Sequence, residues 1–442
     1  MITVDQIIHA RWVITVEPDV PILPAHSIGI TGGRIVAIVP TADWTLHVEA
    51  DQEIDCRQHA VLPGFINTHA HAAMSLFRGM ADDLPLMQWL EQKIWPAEAR
   101  WVEAGFVRDG TRLAAYEMLR GGTTCFNDMY MFPDEAAAAA TEIGIRAMVG
   151  MLVIGFPTAW AQDTREYLRK GQAVHDRYRE HPFIHTAFAP HAPYTVDEGT
   201  LTTVAMLAEE LDVPVHMHVH ETAVEVANAL QASGMRPLAR LEQLGLLSPR
   251  LLAVHMTQLT PEEITHVARA GVSIAHCPES NLKLGSGIMP LTALLAAGAN
   301  CALGTDGSAS NNDLDMLSEM RCAALLAKGV SGDASVVPAA TALQMATLNG
   351  ARALGLEQEI GSIKVGKQAD LIAIDFRDIR LSPVYDPVAQ IVYAAHRDNV
   401  KEVWVAGRRV VQDGEVTQVD ARQLLITATR WGELIRGWNP TY

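Results

Sequence analysis

Apolar and polar positions fall into two textures along this chain. Up to about residue 60, short apolar runs alternate with tight turns: Trp12-Val13-Ile14-Thr15-Val16, Ser27-Ile28-Gly29-Ile30 and, after Gly32-Gly33, Arg34-Ile35-Val36-Ala37-Ile38. Two glycines between such runs mark a hairpin, because they supply the positive φ that a tight turn needs. The same texture returns in Ala369-Asp370-Leu371-Ile372-Ala373-Ile374, in Val403-Trp404-Val405-Ala406-Gly407 and in Arg409-Val410-Val411. Both ends therefore read as all-β, and together they are expected to form one small β-sandwich from residues 1–60 and 361–442.

The second texture fills residues 61–360, where apolar β-rich runs alternate with helix-like segments, the signature of βαβ units and a parallel sheet. The strand candidates are 61–68, 123–129, 146–153, 184–190, 213–219, 251–256, 272–277 and 301–305. Their number is that of a (β/α)8 TIM-type barrel. Helical segments support it: the Ala-rich run Ala136 to Ala140 reads as helix, and residues 111–120 end at Gly121-Gly122, a stop directly before a strand.

Length and composition fit this reading. The 442 residues accommodate one barrel of roughly 250 to 300 residues and a smaller module. Apolar residues make up 49% and charged ones 19%, with no low-complexity tract. A formal net charge of −17 argues against a polyanion-binding face and favours a small-molecule partner over nucleic acid. Met1-Ile2-Thr3-Val4-Asp5 lacks the basic start of a signal peptide, and no apolar stretch reaches the roughly 18 to 20 residues of a membrane span. A cytoplasmic protein without membrane contact is expected. Its five scattered cysteines, odd in number and lacking a Cys-x-x-Cys pair, read as reduced buried thiols.

Chemistry concentrates where the barrel model says it should, at the C-terminal ends of the strands. The first strand ends in His69 and His71, whose i, i+2 spacing aims both rings to one side. The fourth ends in His191; the fifth carries His216, His218 and His220 followed by Glu221; the sixth ends in His255, the seventh carries His276, and the eighth ends in Asp306. Any one of these histidines alone reads as an ordinary core or surface imidazole. Gathered on one rim they point to a metal.

Three imidazoles and a carboxylate make a shell for Zn2+ with water completing it, and His69, His71, His218 and Asp306 are assigned to it. Periodicity does not choose among His216, His218 and His220, which share one parity. No lysine lies between Phe183 and Val196 to form a carbamylated bridge, so one metal per subunit is expected, with Fe2+ or Mn2+ as alternatives to zinc. A metal there would lower the pKa of water toward ~7. Asp306 would take the proton released, Glu221 would carry one to substrate or leaving group, and His255 would orient the nucleophile.

These residues resemble the amidohydrolase superfamily, and within it the deaminases of 5'-methylthioadenosine, S-adenosylhomocysteine and adenosine. The resemblance spans essentially the whole chain. It rests on Pro63-Gly64-Phe65-Ile66-Asn67-Thr68-His69-Ala70-His71, Leu76-Phe77-Arg78-Gly79, His218-Val219-His220-Glu221, Ser280-Asn281-Leu282-Lys283-Leu284-Gly285 and Gly304-Thr305-Asp306-Gly307. The family pattern His-x-x-Glu selects His218 as the ligand. The resemblance implies hydrolytic attack on C6 of an adenine ring, with Glu221 protonating a ring nitrogen, Asp306 relaying protons and ammonia leaving. It implies that Glu98, in Trp95-Pro96-Ala97-Glu98, binds the ribose hydroxyls, and that His191 contacts the substrate. Trp89 completes the candidate substrate contacts, and related enzymes suggest a homo-oligomer.

One departure bears on specificity. Relatives that accept the amino-acid tail of S-adenosylhomocysteine are expected to offer arginines after the third strand, whereas this chain reads Val149-Gly150-Met151-Leu152-Val153-Ile154-Gly155-Phe156. A carboxylate buried there would lack a bidentate partner. Methylthioadenosine or adenosine is therefore the expected substrate, with apolar residues such as Met151 near the 5' substituent. The alternatives are a deaminase of a free purine base or a triazine-type hydrolase on the same scaffold, since superfamily motifs do not fix the pocket. A catalytically dead scaffold is disfavoured by retention of all four ligand candidates and Glu221.

Overall fold

The computed structural model describes residues 2–438. Eight strands follow one another in space in their chain order: Phe65–Ala70, Thr123–Asp128, Arg146–Val153, Ile184–Pro190, Val215–Val219, Leu251–His255, Ser273–His276 and Asn300–Leu303. From the third strand to the eighth, neighbours pair in parallel. The eighth closes onto the first: Asp306 donates its backbone N–H to His69 O at 3.0 Å, and Thr68 Oγ1 donates to Leu303 O at 2.8 Å. The result is the (β/α)8 barrel.

Nearly every residue of these strands is buried, as expected of parallel strands covered on both faces. The helices between them begin where local chemistry says they should. Asp163, Asp197 and Thr222 cap the N-termini of Thr164–Tyr178, Glu198–Glu210 and Ala223–Ser233 by accepting backbone N–H groups. Thr260 and Glu263 form a reciprocal capping box with Pro261 at the first helical position.

The terminal segments build a nine-stranded mixed sheet. Ile2–Ile14 runs parallel to Val48–Pro63, which in turn pairs antiparallel with Leu371–Asp375, so the two ends of the chain meet at the centre. Ile8, Val13, Ile28, Ile35, Ile54, Leu371 and Trp404, from strands far apart in the sheet order, share one buried cluster. The sheet curls until its turns touch: a Cβ on Gly33 would stand 2.5 Å from Ala406 O.

Three expectations need correction. The apolar run at 61–68 is not one strand, because Val48–Pro63 belongs to the terminal sheet and the barrel begins at Phe65. Gly64 separates them, and a Cβ there would lie 2.1 Å from the Thr124 side chain. The strand Val48–Pro63 was not expected, although Glu49, Asp51, Glu53, Asp55 and Arg57 alternate with Val48, Ala50, Ile54 and Cys56 at period 2, because acidic residues are depleted in strands and its apolar half is sparse. The C-terminus is not all-β: Ala421–Arg436 is a helix capped by Asp420, and Trp431 Nε1 donates to Asp109 Oδ2 at 2.9 Å while its ring packs edge-on against Phe106.

By compactness the chain divides into Met1–Asn67, Tyr116–Cys125 and Asp315–Val419 on one hand, and Thr68–Ala115, Phe126–Leu314 and Asp420–Tyr442 on the other. We propose a division by fold close to the expected boundaries at 60 and 361, with the handover between the two sheets at Gly64. Among the described residues no disulfide links the cysteines, and no helix is long and apolar enough to cross a membrane.

Candidate active site

The first barrel strand delivers His69 and His71 to the rim, and the eighth delivers Asp306. Oδ1 of Asp306 lies 3.2 Å from His69 Nε2 and 3.3 Å from His71 Nε2. From the fifth strand His218 places its Nε2 3.3 Å from His69 Nε2. Donor atoms of His69, His71 and Asp306 lie within 4.8 Å of one another, as do those of His69, His218 and His255.

Hydrogen bonds on the far side of the rings decide which nitrogens face this centre. His71 Nδ1 donates to Met129 O at 2.6 Å and His218 Nδ1 to His191 O at 2.7 Å. A carbonyl only accepts, so Nδ1 carries a proton and Nε2 is the nitrogen turned toward the centre. Burial pushes His69 down to about 4 and His218 well below the usual histidine range, which favours neutral rings. On His71 burial acts in the same direction, but its contact with the Asp306 carboxylate prevails and raises it to about 9. Burial opposes ionisation of Asp306 too, yet hydrogen bonds from His69 and His71 hold it well below the carboxylate range. A borderline divalent cation such as zinc would displace the proton that His71 shares with Asp306 and would then meet oriented imidazole nitrogens beside an ionised carboxylate.

The backbone at this rim is unusual. His255 and Asp306 adopt left-handed φ values of 73° and 62°, a conformation that L residues avoid and that concentrates at functional sites. Asp306 is fixed further by Gly307 N–H to Oδ1 at 2.8 Å and by the Ser280 hydroxyl to Oδ2 at 2.7 Å. The eighth strand approaches the first closely here: a Cβ on Gly304 would stand 2.8 Å from His69 N.

Beside the centre Glu221 is buried, its Oε1 accepting from Ser286 Oγ at 3.0 Å and its Oε2 lying 3.7 Å from His255 Nε2. Burial, above all, raises its carboxyl above the usual range. Its main chain is pinned, because Glu225 accepts the backbone N–H of Glu221 at 2.7 Å and that of His220 at 3.1 Å. His255 stacks on His218, and its Nδ1 donates to Asn281 Oδ1 at 2.9 Å, leaving Nε2 toward Glu221.

These groups floor a cleft. One wall comes from the excursion after the first strand, where the short helix Leu86–Trp89, a π-helical turn Leu90–Ile94 and the helix Trp95–Trp101 present Leu86, Trp89, Leu90, Ile94, Trp95 and Glu98. Burial pushes Glu98 up to about 7, and the Tyr130 hydroxyl interacts with it. His191 lines the cleft opposite, its Nδ1 3.1 Å from Thr195 Oγ1, and burial takes it down to about 3.

Not every expected residue arrives. Met151 is fully buried on the far face of the third strand, against Gly171 of the flanking helix, and does not line the cleft; Leu152 and Ile154 do. Strand parity is the reason, since adjacent side chains point to opposite faces. The parity shared by His216, His218 and His220 is resolved by the backbone. A φ of 54° turns His220 outward, where its Nε2 accepts from Leu238 N at 3.2 Å, while His216 lies deeper, its Nε2 2.8 Å from His69 Nδ1. His276 is buried but belongs to neither the donor cluster nor the cleft lining. Ser280, Asn281 and Tyr130 acquire contacts that the sequence reading left without a role; their position just beyond barrel strands was the available signal.

The sequence matches the model of the amidohydrolase family over residues 60–410. It is 46% identical over 431 residues to a 5-methylthioadenosine/S-adenosylhomocysteine deaminase of Teredinibacter turnerae, covering 98% of each chain. Among solved structures it is similar to a zinc-bound adenosine deaminase from Xanthomonas campestris, with a TM-score of 0.98, 50% identity, and coverage of 99% of this chain and 100% of that one. A zinc complex of an atrazine chlorohydrolase from Arthrobacter aurescens aligns with a TM-score of 0.89 and 26% identity, over 96% of this chain and 99% of that one.

Proposed function

Because this chain belongs to the amidohydrolase family, we propose that it is a zinc-dependent aminohydrolase that removes the 6-amino group of an adenine nucleoside, 5'-methylthioadenosine or adenosine, giving the inosine analogue and ammonia. The observation that carries this reading is the convergence of His69, His71, His218 and Asp306 beside Glu221 and His255, at the floor of a cleft that Glu98 closes from the side. We propose His69, His71, His218 and Asp306 as the zinc ligands, and their inward-facing donor atoms fit that ion.

When bound, zinc supplies the Lewis acidity that makes water a competent nucleophile near neutral pH. The chain's own groups move the protons. Asp306 accepts one from the attacking water as oxygen adds to C6. Glu221, whose hold on a proton burial strengthens, gives a proton to the adjacent ring nitrogen, so that no negative charge builds on the purine. His255, held by Asn281, hydrogen-bonds the nucleophile. The proton stored on Asp306 then passes to the departing amine while the C6 hydroxyl returns a proton to Glu221; the C–N bond breaks, C6=O forms and ammonia leaves. Glu98 holds the ribose hydroxyls, while His191 and Trp89 flank the base.

The cleft is lined by Leu152, Ile154 and Phe156, with no arginine or lysine among its lining residues. An amino-acid carboxylate at the 5' position would find no cationic partner there, which supports methylthioadenosine and adenosine over S-adenosylhomocysteine. We also read the protein as a cytoplasmic homo-oligomer. Ammonia release by zinc-loaded enzyme, screened across adenosine, methylthioadenosine, S-adenosylhomocysteine, guanine and cytosine, tests the proposal. Turnover is expected for the first two. A specificity constant for S-adenosylhomocysteine above both, or turnover of a free base alone, contradicts it.

A further inference from the structure

We infer that His216 is a positioning residue for the metal centre, and that it sets the tautomer and orientation of His69. The inference rests on the zinc site proposed above.

His69 and His216 are both fully buried inside the barrel, with His69 Nδ1 2.8 Å from His216 Nε2 and the rings nearly perpendicular at 79°. His69 offers Nε2 to the centre, between Asp306 Oδ1 and His218 Nε2. A metal on Nε2 requires its lone pair, so the ring proton of His69 must sit on Nδ1. Nε2 of His216 stands at hydrogen-bond distance to accept that proton. His71 and His218 solve the same problem with main-chain carbonyls, of Met129 and His191. For His69 a second imidazole stands where those rings have a carbonyl.

The arrangement has a consequence on the other side of His216. Once Nε2 accepts, its own proton is confined to Nδ1, and that atom has no hydrogen-bond partner among the described residues. A buried donor without an acceptor costs stability. An aliphatic residue would fill this layer of the barrel without that cost, so packing alone does not account for an imidazole here. Its use is as an acceptor. Partners of this kind fix the ligand ring and raise its basicity, and their loss typically weakens metal binding about 10- to 100-fold.

The test compares zinc affinity, measured by competition with a chromophoric chelator, in the full-length wild type, His216→Leu and His216→Gln. Leucine fills the space but accepts nothing, and weakens zinc binding by about 10- to 100-fold. Glutamine carries an oxygen as many bonds from Cα as the imidazole Nε2, and recovers most of the loss. Affinity unchanged in the leucine variant, or equal losses in both, overturns the role. Nitrogen NMR of the zinc-loaded wild type decides the matter even if a variant does not fold. A protected proton on His69 Nδ1, scalar-coupled to His216 Nε2, is expected, whereas an unprotonated Nδ1 overturns it. Absence of stoichiometric zinc in the wild type would instead sink the proposed centre.

Discussion

Ser280 donates its hydroxyl to Oδ2 of Asp306 at 2.7 Å, which leaves Oδ1 to face His69 and His71. One carboxylate is thereby split into an anchored oxygen and a working one. Hydrogen bonds to charged groups are worth about 1.5 to 3 kcal/mol, so Ser280→Ala is expected to lower kcat by about tenfold or more as Asp306 gains rotational freedom. Steady-state kinetics on preparations of equal zinc content measure this. A loss below about twofold would show that the hydroxyl is idle.

Glu221→Gln keeps the shape of the site and removes its proton carrier. Loss of a general acid costs typically 10²- to 10⁴-fold in rate, and zinc content by elemental analysis should stay at the wild-type level. Burial raises this carboxyl, and the acid form is the active one, so turnover declines as pH climbs through its raised value. That alkaline limb should vanish in the glutamine variant, leaving a flat residual rate.

Glu98 gives a pH signature of opposite sense. If ribose hydroxyls donate to the carboxylate as proposed, nucleoside binding needs it ionised, and with Glu98 pushed up to about 7 the KM should fall as pH rises through that region. Glu98→Gln raises KM for nucleosides, removes this limb and leaves free-base turnover much less affected. Stability moves the other way. A carboxyl raised by folding from 4.5 to about 7 opposes folding fully above pH 7 and not at all below about pH 4. Without substrate, Glu98→Gln should melt higher than wild type at pH 8 and alike at pH 4.5 or below; calorimetry at both pH values checks the sign.

Zinc removal should destabilise as well as inactivate. An ion present at 1,000 times its Kd stabilises the folded chain by about 4 kcal/mol. Exhaustive chelation is therefore expected to abolish ammonia release and lower Tm by several degrees, and both should return on adding zinc. Unchanged Tm under conditions that strip the ion would argue against a centre built from three strands of the barrel.

The barrel was legible because parallel strands buried on both faces leave uninterrupted apolar runs, and the rim residues followed from where those runs stop. Each failure traces to a place where local pattern and tertiary context part. Gly64 hides the handover between two sheets inside one apolar run, since nothing in the residue string records how closely Thr124 approaches it. Met151 sits one residue out of phase with the cleft-facing Leu152, and a pattern that is apolar at every position carries no phase. The histidines of the fifth strand share a parity that only the left-handed turn at His220 breaks. The helix Ala421–Arg436 was missed because the neighbouring β texture was extended past its true end at Glu415–Val416.

The stretch from Leu86 to Glu98 lines the cleft from outside the barrel strands that carry the candidate metal ligands. Six side chains of the cleft wall, Leu86, Trp89, Leu90, Ile94, Trp95 and Glu98, come from this one continuous segment. Much of the cleft wall is thus encoded apart from the candidate metal ligands. A short insertion or recombination within this segment can redirect the enzyme to another ring substituent or sugar while the hydrolytic apparatus passes on unaltered, so a new specificity lies within reach of a single local genetic event.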